Sequence, residues 1–162
     1  MIRIMLSSFV ASFGFAILFN IKGNRLWLAG LGGSIGSVVH AICLSHGLHE
    51  VMSLFLASIA FSIFSEVCAR IQRTPVTTFI ICALIPLVPG GGMYRMMVEA
   101  ISSDIMGALQ IGVETISYAG SLALGIIFVS TITRVMTSLK KQRLMNREKS
   151  RIEDRGDEVE TD

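Results

Sequence analysis

Five long apolar runs organise the chain, at residues 4–21, 26–46, 51–69, 76–100 and 105–137. A helix that crosses about 30 Å of hydrocarbon needs about 20 mostly apolar residues, and each run is near or above that length. Short polar connections at 22–25, 47–50, 70–75 and 101–104 separate them. The pattern predicts an all-α fold, a polytopic membrane helix bundle of about five transmembrane helices. The second run is rich in glycine and serine, so four spans is the alternative. Apolar patterning stops near residue 138. This divides the chain into a transmembrane module, 1–138, and a charged tail, 139–162, which changes from basic to acidic and is expected to be a solvated helix extension or disordered.

Charge placement favours five spans. Lys22 and Arg25 lie in the first connection, Arg70 and Arg73 in the third, and Arg134, Lys140, Lys141 and Arg143 at or beyond the end of the fifth run. The second and fourth connections carry Glu50 and Asp104 but no Lys or Arg. Basic residues accumulate on the cytoplasmic side. Five spans put every basic cluster on that side, with the N-terminus outside and the tail inside a cell (plasma) membrane. Four spans would scatter them.

Composition agrees. Of 162 residues 52% are hydrophobic and 16% charged, and residues 1–138 hold only 12 charged side chains. A soluble domain is usually about one-quarter charged. These figures exclude an ordinary water-soluble domain, and a net charge of +2 excludes a nucleic-acid groove as the main feature. Cys43, Cys68 and Cys82 sit in apolar runs without paired spacing, and read as packing residues with no disulfide or metal site implied.

Small residues recur every fourth position at Ala29, Gly33, Ser37, Ala41 and Ser45, and again at Ser117, Ser121 and Gly125. That spacing puts each set on one helix face and lets a neighbouring helix approach closely. Two motif matches are set aside. Gly32-Gly33-Ser34-Ile35-Gly36 fits G-x-S-x-G, but that motif needs a strand-to-helix turn and a base, and His40 lies on another side of the helix. Gly30-Leu31-Gly32 begins a dinucleotide fingerprint that Ile35 breaks. No catalytic residue and no cofactor are expected.

Ionisable groups inside a span are costly and point to function by default. Glu66, four residues before Arg70, reads as half of a helix-end ion pair. His40 lies 14 residues into the second run, where a structural role would be a bond to a backbone carbonyl and a functional one proton coupling. Gln110, Glu114, Ser117, Tyr118 and Ser121 form one polar stripe along the fifth run, which must face protein or water because lipid offers no partners. An interhelical network and a proton-coupling role for Glu114 both explain it.

The fourth run is interrupted by Ile85-Pro86-Leu87-Val88-Pro89-Gly90-Gly91-Gly92-Met93-Tyr94-Arg95. The 13 residues 76–88 make about 20 Å of helix, too short to span. Neither proline has an N–H, so the carbonyls of Cys82 and Ile85 are expected to lose their helical partners. Broken helices survive at membrane depth only inside protein or beside water, and many transporters build their sites from them. A re-entrant structural kink is the competing reading. Pro86, Pro89, Gly90, Gly91, Gly92 and Tyr94 are therefore the candidate substrate-binding residues, with free N–H groups expected at residues 91–93. At 1.5 Å per residue, His40, this break and Glu114 all fall about 20 Å from the basic side.

On Ala16-Ile17-Leu18-Phe19-Asn20, residues 30–36 and above all Leu84-Ile85-Pro86-Leu87-Val88-Pro89-Gly90-Gly91-Gly92-Met93-Tyr94, the chain resembles the threonine/serine exporter family over most of residues 10–135. In that family two similar five-helix modules occur fused or as separate subunits, and this chain resembles the second alone. The resemblance implies proton-driven export of a small carboxylate: threonine and serine, or a dicarboxylate such as succinate. It also implies a partner membrane subunit resembling the first module. The alternative is a structural or assembly subunit whose partner contains the pathway.

Overall fold

The computed structural model describes residues 1–160, with side chains through Leu139 and at Gln142 and Met145. Among them there are six α-helices and no strand: α1 Ile2–Leu18, α2 Asn24–Ser45, α3 Glu50–Gln72, α4 Val76–Leu84, α5 Gly90–Ile101 and α6 Ile105–Glu160, with a single 3-10 turn, Ile85–Leu87, after α4. Residues Met1–Val129 form one compact unit, and the remainder of α6 begins a second at Ser130.

Helices α2, α3 and the Ile105–Leu139 part of α6 are each long and apolar enough to cross a membrane. Val76–Leu87 and Gly90–Ile101 pass that test only together, bent by 50°, and would form a fourth span. Helix α1 is apolar but has 17 residues, about 26 Å. The fold is a helical membrane bundle with three such spans, or four counting the bent pair. The tail continues α6 as helix to Glu160, and residues 161–162 lie outside the described residues.

Helix ends follow one rule. Asn20, Gly47, Arg73 and Ser103 all adopt left-handed φ values, between 49° and 79°. In each case the next N–H returns to the carbonyl five residues back: Ile21 to Ala16, Leu48 to Cys43, Thr74 to Ala69 and Asp104 to Glu99. This closure satisfies carbonyls that would otherwise end unpaired.

Burial is inverted relative to a water-soluble protein. Ile2, Leu18, Ile71, Ile105 and Ile116 are more than 70% exposed, whereas Ser12, Ser53, Ser58, Ser62 and Ser65 are fully buried. Serine is tolerated inside because its hydroxyl can bond its own helix, as Ser65 donates to Phe61 O at 2.7 Å and Ser34 to Gly30 O at 3.3 Å. Its small size also lets helices close together without a hydrophobic drive from the surrounding lipid.

Helix α2 is the hub, packed against α1, α3, α4 and the 3-10 turn. Its glycines make that possible. A Cβ on Gly33 would meet the Ser12 side chain and lie 3.2 Å from Pro86 Cγ. One on Gly36 would lie 2.8 Å from Leu87 Cδ1 and 3.0 Å from Phe61 Cδ1. The four-residue seam of α2 thus seats α1 and the proline kink, although only Ala29, Gly33 and Ser37 of it are buried. The α6 seam behaves likewise: Ser121 donates to Val51 O at 2.5 Å, and Gly125 packs on Ser58 of α3. Two apolar clusters stack within the bundle, one around Ala16, Cys68 and Phe79, the other around Phe61, Leu87 and Leu122.

Gly33→Val is expected to lower stability by about 1–3 kcal/mol through overpacking. Gly120→Ala, with no atom within 4 Å of the added Cβ, is expected to raise stability slightly, by at most about 1 kcal/mol of helix propensity. Thermal melts of both variants in detergent check the pair.

Candidate functional site

The helix break is built as the prolines dictate. After α4 the chain tightens into the 3-10 turn, and Val88 N–H reaches both Leu84 O (3.1 Å) and Ile85 O (3.4 Å). The Ile85 carbonyl is therefore occupied, which corrects the expectation that Pro89 leaves it unpaired: a three-residue turn replaces the lost four-residue bond. Pro89 caps α5, and its carbonyl accepts Gly92 N–H (3.2 Å) and Met93 N–H (3.3 Å). Gly90 N–H bonds to Val88 O at 2.7 Å. The expected row of free N–H groups at residues 91–93 is thus reduced to one, Gly91, which has no backbone acceptor among the described residues.

The three glycines differ. A Cβ at Gly90 or Gly91 would meet nothing within 4 Å, and both residues are exposed. Gly92 lies directly against the Thr115 side chain of α6, and Met96 lies against Gly112 one turn further on. The start of α5 is therefore seated on α6 beside Glu114, while Gly90 and Gly91 keep an open flank. Arg95 Nε bonds Gly91 O at 3.3 Å, and Tyr94 points outward, 70% exposed. Pro86 is half-buried against Gly33.

His40 does not bond a distant carbonyl. Its Nδ1 lies 2.7 Å from Ser53 Oγ of α3, and the same hydroxyl donates to His40 O at 2.8 Å. Ser53 has one hydrogen, so with that hydrogen on the carbonyl the imidazole Nδ1–H is the donor to Oγ. The other ring nitrogen, Nε2, then carries the lone pair. Glu50, in the first turn of α3, interacts electrostatically with His40 and with the Tyr118 side chain of α6. Tyr118 in turn feels the charges of Glu114 and Arg95. A polar network thus runs from α2 through α3 to α6 and α5.

The stripe on α6 divides. Tyr118 and Ser121 turn into the bundle, whereas Gln110, Glu114 and Ser117 are exposed on the outer surface of this chain. Ser117 satisfies itself on Val113 O at 2.8 Å. Glu114 has no such local option.

Residue types alone pointed to His40, Glu114 and the break. Glu50 and Ser53 were missed: Glu50 reads as a loop charge, and Ser53 as one of many small residues. The one available signal was that Glu50 carries the sole acidic charge in its connection. Among the described residues four buried hydroxyls, on Ser12, Ser37, Ser62 and Thr74, have no hydrogen-bond partner, and Ser12 shares the Gly33 contact with Pro86. Ser34 is not nucleophile-like, since its hydroxyl is committed to Met5 O at 3.1 Å and to Gly30 O. Glu66 and Arg70 form the expected helix-end pair at 3.8 Å. Among the described residues no three of His, Cys, Asp and Glu converge as a metal-ligand set.

A family model described as Threonine/Serine exporter, ThrE, matches residues 4–132. No solved structure matches the chain.

Proposed function

Because the chain belongs to the threonine/serine exporter family, whose members are membrane transporters and not enzymes, we propose that it is one subunit of a proton-coupled secondary exporter of small carboxylates. The substrates are threonine and serine, or a dicarboxylate such as succinate. The observation that carries this reading is the contact of the broken helix with α6 at Gly92 and Thr115, next to Glu114 and the His40–Glu50–Tyr118 network. A substrate carboxylate approaches the open flank at Gly90 and Gly91, meets the Gly91 N–H at the positive end of α5, and finds Arg95 nearby. Pro86 and Pro89 set the bend, and Tyr94 supplies a hydroxyl from the neighbouring surface. Glu114 and His40 carry the coupled proton.

The partner is a membrane subunit resembling the family's first module. A carboxylate at the middle of a spanning helix costs about 2.5–3.5 kcal/mol when lipid surrounds it. The exposed Gln110–Glu114–Ser117 face therefore needs protein or water across from it. With α1 counted as a fifth span, the N-terminus lies outside and the tail inside the plasma membrane. Topology reporters fused after Arg25 and Arg73 are then expected to read cytoplasmic, and an external signal from either removes the five-span arrangement.

The test of the function is labelled threonine, serine and succinate efflux from cells expressing this chain with and without a first-module partner. Efflux is expected only with both. Efflux at full rate from this chain alone would replace the proposal with a homo-oligomeric carrier.

A further inference from the structure

At the basic end of the bundle, the connection after α1 and the connection after α3 enclose a cavity of about 440 Å³. Its lining includes Lys22, Arg25, Asn20, Thr74, Thr78 and Phe19, so it holds two cations and no carboxylate. The walls are fixed by backbone geometry: Asn20 and Arg73 take left-handed conformations, and Ile21 and Thr74 close back on α1 and α3. Arg25 donates to Gln72 O at 3.3 Å, which ties the first connection to the end of α3. Two helices end and two begin around the cavity, so their dipoles largely offset one another, and its positive character comes from the two side chains.

Thr74 gives the second indication. Its hydroxyl oxygen is buried and has no hydrogen-bond partner, although the residue lines a cavity large enough for a ligand. A buried hydroxyl left unpaired is costly, so a turn about χ1 that presents it to an oxygen anion in the cavity is favoured. The cavity does not read as a substrate entrance. It is backed by the packed apolar cluster of Ala16, Ala29, Phe79 and Cys82, against which Ile21, Leu26 and Val76 also lie. His40 lies 15 residues beyond Arg25 on α2, about 22 Å further along the helix.

Its other flank is apolar and open: Phe19 is 54% exposed and Leu18 is 76% exposed. Cations next to an exposed apolar strip at the end of a membrane span match an amphiphile whose anionic group sits in the cavity and whose chains lie along the helix.

We propose that this cavity binds a phosphate group, supplied by the headgroup of an anionic phospholipid, held by Lys22, Arg25 and Thr74. The site would clamp the α1–α2 and α3–α4 ends together. The experiment uses the full chain purified in detergent, with native mass spectrometry counting retained phosphatidylglycerol against phosphatidylcholine. Wild type is expected to hold phosphatidylglycerol preferentially. Each cation near a membrane surface contributes about 1 kcal/mol, so Lys22→Gln/Arg25→Gln weakens retention about thirtyfold. Thr74→Val weakens it with both charges in place. The charge-matched control Arg3→Gln/Arg134→Gln leaves it unchanged, and melts confirm that each variant is folded. Retention that inorganic phosphate does not displace identifies the lipid as the source. Displacement at millimolar phosphate, or phosphate binding without lipid retention, assigns the same pocket to a free anion. Equal loss in the control, or no loss in the pocket variants, overturns the site.

Discussion

Replacing Glu114 with Gln is expected to drop proton-driven efflux to background while leaving expression, assembly and substrate counterflow intact. The amide keeps the size and hydrogen-bonding reach of the carboxyl group but cannot exchange a proton. Glu114 lies beside Thr115, on which the glycine break is seated, and interacts electrostatically with Tyr118. In the proposed mechanism a proton taken up there is sensed both at the flank that receives substrate and by Tyr118. The informative measurement is the pH dependence of net efflux from the assembled complex, set against exchange, which moves no net proton. A Gln variant with an unchanged pH profile would assign Glu114 to the partner interface alone. His40→Gln is expected to act in the same direction but less strongly, because Ser53 holds one of its ring nitrogens.

The second large effect separates two adjacent glycines. Gly91→Val places its side chain in open space, so folding and assembly are expected to survive. The added methyls nevertheless occupy the approach to the Gly91 N–H. Loss of one hydrogen bond to a charged group, worth about 1.5–3 kcal/mol, weakens substrate binding about tenfold to a hundredfold. Gly92→Val instead drives into Thr115 and is expected to destabilise the packing of α5 on α6 by about 1–3 kcal/mol. Calorimetric titration of the intact complex reads the first, and its melting temperature the second. Wild-type affinity in the Gly91 variant would reduce the break to a structural kink.

Much of this arrangement was legible in the sequence because lipid imposes strict rules. Long apolar runs, glycines at four-residue spacing and a proline pair each have few physical outcomes in a bilayer, and α2, α3 and the bent α4–α5 pair follow from them. The hub role of α2 was only half visible: spacing marks a small-residue face but not which helices use it. The local bonding at the break was misjudged because removing an N–H says which bond is lost, not that a 3-10 turn will supply another. The α6 stripe was seen as one surface. Glu114, Tyr118 and Ser121 do share a helix face, but the other helices cover it only from Tyr118 to Ser121, and spacing does not tell how far along a face its neighbours reach. The approach of Glu50 to Tyr118 was invisible because it joins residues 68 positions apart whose types are unremarkable.

The central claim is that the transport pathway includes this chain rather than lying wholly in its partner. It is tested most directly by reconstituting the two subunits, together and each alone, in liposomes loaded with labelled substrate and imposing a proton gradient. The account predicts gradient-dependent efflux from the pair only, with the correctly assembled pair carrying Gly91→Val about tenfold to a hundredfold slower at sub-saturating substrate. Full efflux from the partner alone, or from the pair with Gly91→Val, would contradict it and leave this chain as an assembly subunit.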